Sequence, residues 1–415
     1  MKSIFVILRR RVISVFNGLC NSGALAVGVG MAVVGLFSTG CSDSDDGPDD
    51  GSGDSDESVC ERTILVYMAA CNSLGSSGFD QDDLAEMRNA AANGAFGEGR
   101  LLVFHADSQG DCRLFEITAG GDVGVKEYFP LADGLTSVHS ERMLQVVADA
   151  RNYAPSRQFG MIMWSHGTGW LQDGIGDTVP AKSVMKSWGE DRSRRMNITT
   201  LAETLDQIRP DFVYFDCCYM ASVEVAYQLR EATPYIVASC TELPAEGMPY
   251  HITLGYLFAD GSADLSGSAK ATYEYFNSKL EASQRTCTIS VIRTAGLDAL
   301  ADAARAIYSA APDEVPDGYA PQPFMTSSLC WYYDLNDYMH AMAGTAPASD
   351  SLTKNWDNAL AGTIVYAAAT QRLWDSVDIE HHGGLSTYIV TQSAMQNVKG
   401  YMTLSWPRYV RKITD

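Results

Sequence analysis

Beyond residue 60 the chain alternates short apolar runs with longer stretches in which apolar residues return every three or four positions. Thr63-Ile64-Leu65-Val66-Tyr67-Met68-Ala69-Ala70 is an apolar run of strand length, and Leu101 to His105 reads the same way. Gly160 to Trp164, Asp211 to Phe215, Pro234 to Ser239 and segments near 286–293 and 385–391 predict further strands. Leu114 to Thr118 with Val125 to Phe129 predicts a hairpin. Helical spacing appears at Leu84 and Met87, at Met143, Val146, Val147 and Ala150, and over 265–283, 294–311 and 351–369. Thr200 and Glu203 form a capping-box pattern before Leu201, Leu205 and Ile208, and Val223, Ala226 and Tyr227 predict a helix soon after Cys218. The alternation argues for an α/β fold around a mainly parallel sheet. The polar stretch Leu171–Asn197 reads as an insertion between two of the strands.

The first forty residues do not fit that pattern. Lys2, Arg9, Arg10 and Arg11 precede an apolar stretch to Phe37, and Ser38, Thr39 and Gly40 lead into Cys41. This is the layout of an export signal, and the cysteine after Thr-Gly resembles the lipobox of bacterial lipoproteins. From Ser42 to Ser58 the chain is Ser, Asp, Gly and Glu almost throughout, too polar to bury a core, which predicts a tether over 41–59. Ser-Asp-rich runs at this place also resemble surface-export signals of such lipoproteins. The expected location is the outer membrane or cell surface. One domain then occupies 60–415, with a catalytic core over about 60–260 and a C-terminal elaboration over about 261–415.

Charge narrows the partners. The chain carries −21, and loss of the four basic leader residues leaves −25. Such a surface repels nucleic acid and anionic membrane. Of ten cysteines, Cys20 leaves with the leader and Cys41 carries lipid; pairing among the other eight is not legible from spacing. No C-x-x-C or H-E-x-x-H spacing occurs, so no zinc site is expected. Adjacent His381 and His382 lack a third ligand at motif spacing and read as loop residues.

Two strand ends carry chemistry. His166 follows Gly160 to Ser165, and Cys218 follows Asp211 to Cys217, so parallel strands would deliver both to the carboxyl edge of one sheet. A histidine about 50 residues ahead of a cysteine is the order of caspase-type peptidases. A cysteine nucleophile needs a base and oriented donors for the oxyanion. His166 supplies the base, and the backbone N–H groups of Gly167 and Cys218 are the candidate donors. A helix starting beside Cys218 would direct its positive end at the sulfur and lower the thiol pKa. No third residue to orient the histidine stands out, so a dyad is the economical reading.

Four local words sharpen this. Tyr67-Met68-Ala69-Ala70, Trp164-Ser165-His166-Gly167-Thr168-Gly169-Trp170, Asp216-Cys217-Cys218-Tyr219-Met220 with Glu224, and Gly384-Leu385-Ser386-Thr387-Tyr388 resemble the clostripain-like cysteine peptidases of the caspase-like clan. The resemblance runs from about residue 62 to the C-terminus and implies a caspase-like αβα sandwich. It places the dyad on His166 and Cys218, although Cys217 stands where the family has alanine and competes for the nucleophile's role. Cys71 replaces an aspartate frequent in the first word. The resemblance also implies cleavage after Arg or Lys. A desolvated cation requires paired carboxylates, and Asp216 matches the family's pocket acid. Glu246 is the candidate second acid, with Glu242 as alternate. Family members are cut between the dyad residues, which implies self-cleavage after Lys182 or Lys186, with the Arg192–Arg195 cluster as alternate. No cofactor is expected; calcium dependence is known in the family, but no EF-hand loop is present.

The expected partners are protein or peptide substrates with basic residues, and the membrane through the lipid; a monomer is expected after processing. The rival class is a non-catalytic surface lipoprotein of the same fold that binds proteins or glycans. A second rival is a peptidase cutting after a non-basic residue.

Overall fold

The unbroken apolar runs become the middle of one nine-stranded sheet. The computed structural model describes residues 59–171, 187–311, 319–325, 330–390 and 400–411. Cys41, Lys182 and Lys186 lie outside the described residues. Strands β1 (Cys60–Ala69), β2 (Arg100–Ala106), the hairpin β3 (Cys112–Thr118) and β4 (Gly121–Tyr128), and β5 (Ser156–Trp164) come first. A small hairpin of β6 (Trp188–Asp191) and β7 (Arg194–Met196) precedes β8 (Phe212–Asp216), β9 (Tyr235–Ala238) and β10 (Thr288–Arg293). The two-residue β11 (Tyr333–Asp334) pairs with Ser386–Thr387, and β12 (Ile364–Ala369) completes the main sheet. Its order is β12-β10-β9-β8-β5-β1-β2-β3-β4. The five strands from β9 to β2 are parallel, and an antiparallel pair closes each side.

The period of two along each strand sorts side chains into two cores. Leu65, Tyr67, Met161, Met163, Val213 and Phe215 face one; Ile64, Val66, Ile162, Trp164, Phe212 and Tyr214 face the other. A short helix α1 (Ser73–Ser76) follows β1. The second core is covered by α2 (Phe79–Ala92), and later by α6 (Tyr250–Leu257) and α7 (Leu265–Asn277). Over the first core lie α3 (Ser140–Tyr153), α4 (Ile198–Ile208), α5 (Val223–Gln228), α8 (Leu297–Ala310), α9 (Leu335–Gly344) and α10 (Ser349–Thr363). This is an α/β sandwich with a mostly parallel sheet. The chain runs outward from β1 through β2 and returns to β5 on the other flank of β1. The carboxyl ends of β1, β5 and β8 therefore meet where the strand order reverses, the place where open α/β sheets bind ligands.

Three local expectations need correction. Helix α4 starts at Ile198 after Asn197, so Thr200 and Glu203 sit inside it and form no capping box. The 351–369 stretch is helical only to Thr363, after which Ile364-Val365-Tyr366 favours β structure and pairs with β10. The Leu171–Asn197 insertion, read as polar, carries buried structure: Trp188 is fully buried, and the buried Asp191 carboxylate accepts the backbone N–H groups of Thr136 and Ser137.

Close approach of β5 to β8 depends on one glycine. Gly160 stands opposite Phe212, and a Cβ there would come within 2.2 Å of the ring. Gly160→Ala is expected to lower stability by about 1–3 kcal/mol through overpacking. Urea denaturation measures it, and an unchanged midpoint would show that the ring simply turns aside.

Candidate active site

Trp164 and Asp216 are register partners on adjacent parallel strands. His166 and Cys218 each lie two residues further on, so the shared register carries them to one rim. A Cβ on Gly167 would lie 2.5 Å from the Cys218 carbonyl oxygen and 3.0 Å from Cys217 Sγ. The two loops touch with room only for hydrogen. The Arg195 guanidinium acts on both His166 and Cys218, disfavouring the imidazolium and favouring the thiolate.

Strand alternation separates the competing thiols. Cys217 continues the face of Val213 and Phe215 into the first core, where it is 4% exposed and burial holds its thiol far above the usual range. Cys218 is half-buried at the rim and accepts the Leu243 N–H at 3.4 Å. Burial pushes its thiol up to about 12, the Glu242 charge adds to the rise, and the Leu243 N–H opposes it.

The expectation of a helix-activated thiol is overturned. Tyr219 turns the chain with φ +64°, and α5 begins only at Val223, capped by Ser222 Oγ on the Val225 N–H. The backbone donor at the sulfur comes instead from the loop after β9. The helix starts too late and the thiol is raised, not lowered.

His166 is half-buried, and burial lowers its pKa while the Glu190 charge resists. Its Nε2 lies 2.8 Å from Ser73 Oγ. Sequence reading missed Ser73 because it precedes His166 by 93 residues and belongs to no motif with it. Its only signal was its place just past the Tyr67–Ala70 word. Gly167 forms an isolated bridge with Trp188 through Gly189 N–H on His166 O and Thr168 N–H on Ser187 O, both 2.9 Å. The Gly167 N–H takes no part in those two bonds.

Asp216 is 5% exposed and accepts the Met248 N–H at 3.0 Å and the Tyr250 hydroxyl at 2.8 Å, one on each oxygen. Gly247, at φ +62°, presses on the same carboxyl; a Cβ would come within 2.9 Å of it. Burial pushes Asp216 up to about 6, the two hydrogen bonds oppose, and Glu86 adds to the rise. Asp83 lies close by and accepts the Trp164 indole N–H at 2.6 Å; burial and the Asp216 charge raise it as well. Glu246 is half exposed and bound to Lys279 at 3.0 Å, so its charge is already partnered. Of the two candidate second acids, the Glu242 charge acts on the thiol; burial raises the Glu242 carboxyl, and Tyr219 and Trp374 oppose the rise.

The clostripain family model matches residues 66–403, a span that holds both His166 and Cys218. The chain belongs to the clostripain family. It is similar over 85% of its length to an inactive zymogen protease of this family from Parabacteroides distasonis, which it covers to 98%, with 26% identity and a TM-score of 0.71. It is similar over 84% to a secreted cysteine protease of the family from Bacteroides thetaiotaomicron in complex with an irreversible peptide inhibitor, covering 98% of that chain, with 26% identity and a TM-score of 0.70. A further secreted protease from B. thetaiotaomicron, "iotapain", shares the fold at 21% identity and a TM-score of 0.71, with 85% and 99% of the two chains covered. No curated protein matches the chain.

The remaining clostripain words have structural work. Glu224, fully buried in α5, accepts the Thr387 hydroxyl at 2.9 Å, the Tyr388 N–H at 3.0 Å and the Tyr401 hydroxyl at 3.1 Å. The Ser386 N–H donates to Ala221 O at 2.9 Å. The Gly384–Tyr388 word is thus clamped onto the turn that carries the nucleophile. Cys71 contributes its carbonyl to the Arg192 N–H at 2.7 Å, and its thiol is buried. His382 lies against the Phe324 ring, and burial lowers its pKa to about 4. The eight cysteines of the described residues are all free thiols.

Proposed function

We propose that this clostripain-family chain is a lipid-anchored cysteine endopeptidase that hydrolyses the bond after Arg or Lys through Cys218 and His166. The contact of Gly167 with the Cys218 carbonyl is the observation that supports it most, since it joins the histidine loop to the nucleophile turn. With its thiol held near 12, Cys218 keeps its proton at neutral pH, so His166 must remove it as sulfur attacks the carbonyl. The backbone N–H groups of Gly167 and Cys218 receive the oxyanion. His166 then protonates the departing amine, and water resolves the thioester. Asp216 pairs with the substrate cation, since each of its oxygens keeps a lone pair beyond its one bond. Glu246 joins it when Lys279 releases it, and Glu242 is the alternate.

Processing is expected after Lys182 or Lys186, with the Arg192–Arg195 cluster as alternate; within that cluster Arg195 is half-buried and tied to Glu190. Export and lipid on Cys41 follow from the leader and tether. The test labels chain purified from membranes with acyloxymethyl ketones bearing Lys, Arg or Leu, alongside intact-mass and N-terminal analysis. The expected result is a lipidated Cys41, a cut at Lys182 or Lys186, and labelling by the basic probes alone. Labelling by the Leu probe instead would overturn the basic preference, and no labelling of a processed chain would favour the non-catalytic binder.

A further inference from the structure

We infer that Ser73 is the positioning residue of the catalytic histidine: its hydroxyl holds Nε2 of His166, which leaves Nδ1 as the nitrogen that serves the thiol. The inference rests on the peptidase reading above and deepens it. A base on a ring free to rotate presents the wrong atom part of the time, so a histidine base needs one nitrogen tied down. Ser73 Oγ lies 2.8 Å from Nε2. A hydroxyl both donates and accepts, so it can hold Nε2–H in the neutral ring and in the imidazolium alike.

The serine is not a chance surface neighbour, because the turn that carries it is fixed from below. Asn72, 8% exposed, shares the two hydrogens of Nδ2 among Ala69 O at 2.7 Å, Ser165 Oγ at 3.2 Å and Glu190 O at 3.1 Å. Its Oδ1 accepts the Leu74 and Gly75 N–H groups at 2.9 and 3.4 Å. Ser165 Oγ in turn donates to Ala69 O at 2.7 Å and accepts the Glu190 N–H at 3.0 Å. Gly75 packs so tightly on the end of β1 that a Cβ would fall 2.0 Å from Ala70 O. One buried asparagine therefore ties together the end of β1, the residue before His166 and the strand bearing Glu190, and sets Ser73 beside Nε2.

The proton account closes. Nδ1 takes the hydrogen of Cys218 Sγ as the sulfur–carbon bond forms, and the ring becomes an imidazolium with Nε2–H bonded to Ser73 Oγ. When the carbon–nitrogen bond breaks, Nδ1 passes that hydrogen to the amine. Nε2 keeps its own throughout. A serine brings no charge, so it orients the ring without making it a stronger base, in keeping with a ring that burial keeps neutral.

The test compares Ser73→Ala, Ser73→Thr and Ser73→Asp in the processed full-length chain. Ser73→Ala is expected to lower kcat about tenfold with KM within about twofold, the loss of one hydrogen bond felt in the transition state. Ser73→Thr, which keeps the hydroxyl, should recover most of that loss, and Ser73→Asp should move the acid limb of the kcat profile to higher pH. Wild-type kcat and an unchanged profile in Ser73→Ala would sink the inference alone, as would a Ser73→Thr enzyme as slow as the alanine variant. A processed wild-type chain that no peptide ketone labels would bring down the peptidase reading and this inference with it.

Discussion

Cys218→Ala abolishes turnover of basic peptides, by at least about 10³-fold, whereas Cys217→Ala keeps most of it. The prediction follows from the sheet. Cys217 points where Val213 and Phe215 point, into the first core, and no substrate carbonyl reaches it there. Truncating it leaves a small void and costs stability, on the order of 1 kcal/mol, rather than chemistry. Cys218 stands one residue further, at the rim, against the Leu243 N–H. Turnover and ketone labelling of both variants decide the matter, and a dead Cys217→Ala beside an active Cys218→Ala would overturn the assignment. In the uncut chain the thiol near 12 has a further signature: alkylation by iodoacetamide should climb with pH without levelling off below pH 9.

The second large effect belongs to Asp216. Asp216→Asn should lower kcat/KM for Lys and Arg substrates by about 10²- to 10³-fold, the scale of leaving a desolvated cation without its partner. Neutral substrates should change far less. The pH sign is fixed by the direction of the shift. A carboxyl raised to about 6 is charged above that value and neutral below it, so binding of basic side chains weakens as pH falls through 6. The base responds differently: His166 is lowered, and stays neutral below its usual value. Basic substrates should therefore show an acid limb near pH 6 that neutral ones lack. Superimposable limbs for the two classes, or unchanged preference in Asp216→Asn, would remove Asp216 from the pocket.

Much of this was readable in the residues because of where the sheet stands. Central parallel strands are buried on both faces, so β1, β5 and β8 announce themselves as unbroken apolar runs. Their ends mark His166 and Cys218 without any structure. Helix limits were harder: Ile364-Val365-Tyr366 keeps apolar content through a change of period, which hid the passage from α10 to β12. The thiol's setting was misjudged because a helix can be foreseen in sequence but the left-handed turn at Tyr219, which delays it, cannot. Ser73 and Asn72 were invisible for another reason. The partners that tie them to the histidine loop and to β6 lie 93 or more residues away, and a hydrogen bond across that gap leaves no periodic trace.

The strand order has one more consequence. Strands β1 to β5 precede the 172–186 stretch and β8 to β12 follow it, yet β5 and β8 are neighbours in register from Gly160 with Phe212 to Trp164 with Asp216. Scission there would yield two polypeptides joined in the sheet along β5 and β8, and held as well by the contacts of Trp188, Glu190 and Asp191 with the first half. Such fragments would migrate together in native electrophoresis and part only in detergent, each half owning one member of the dyad and neither able to work apart.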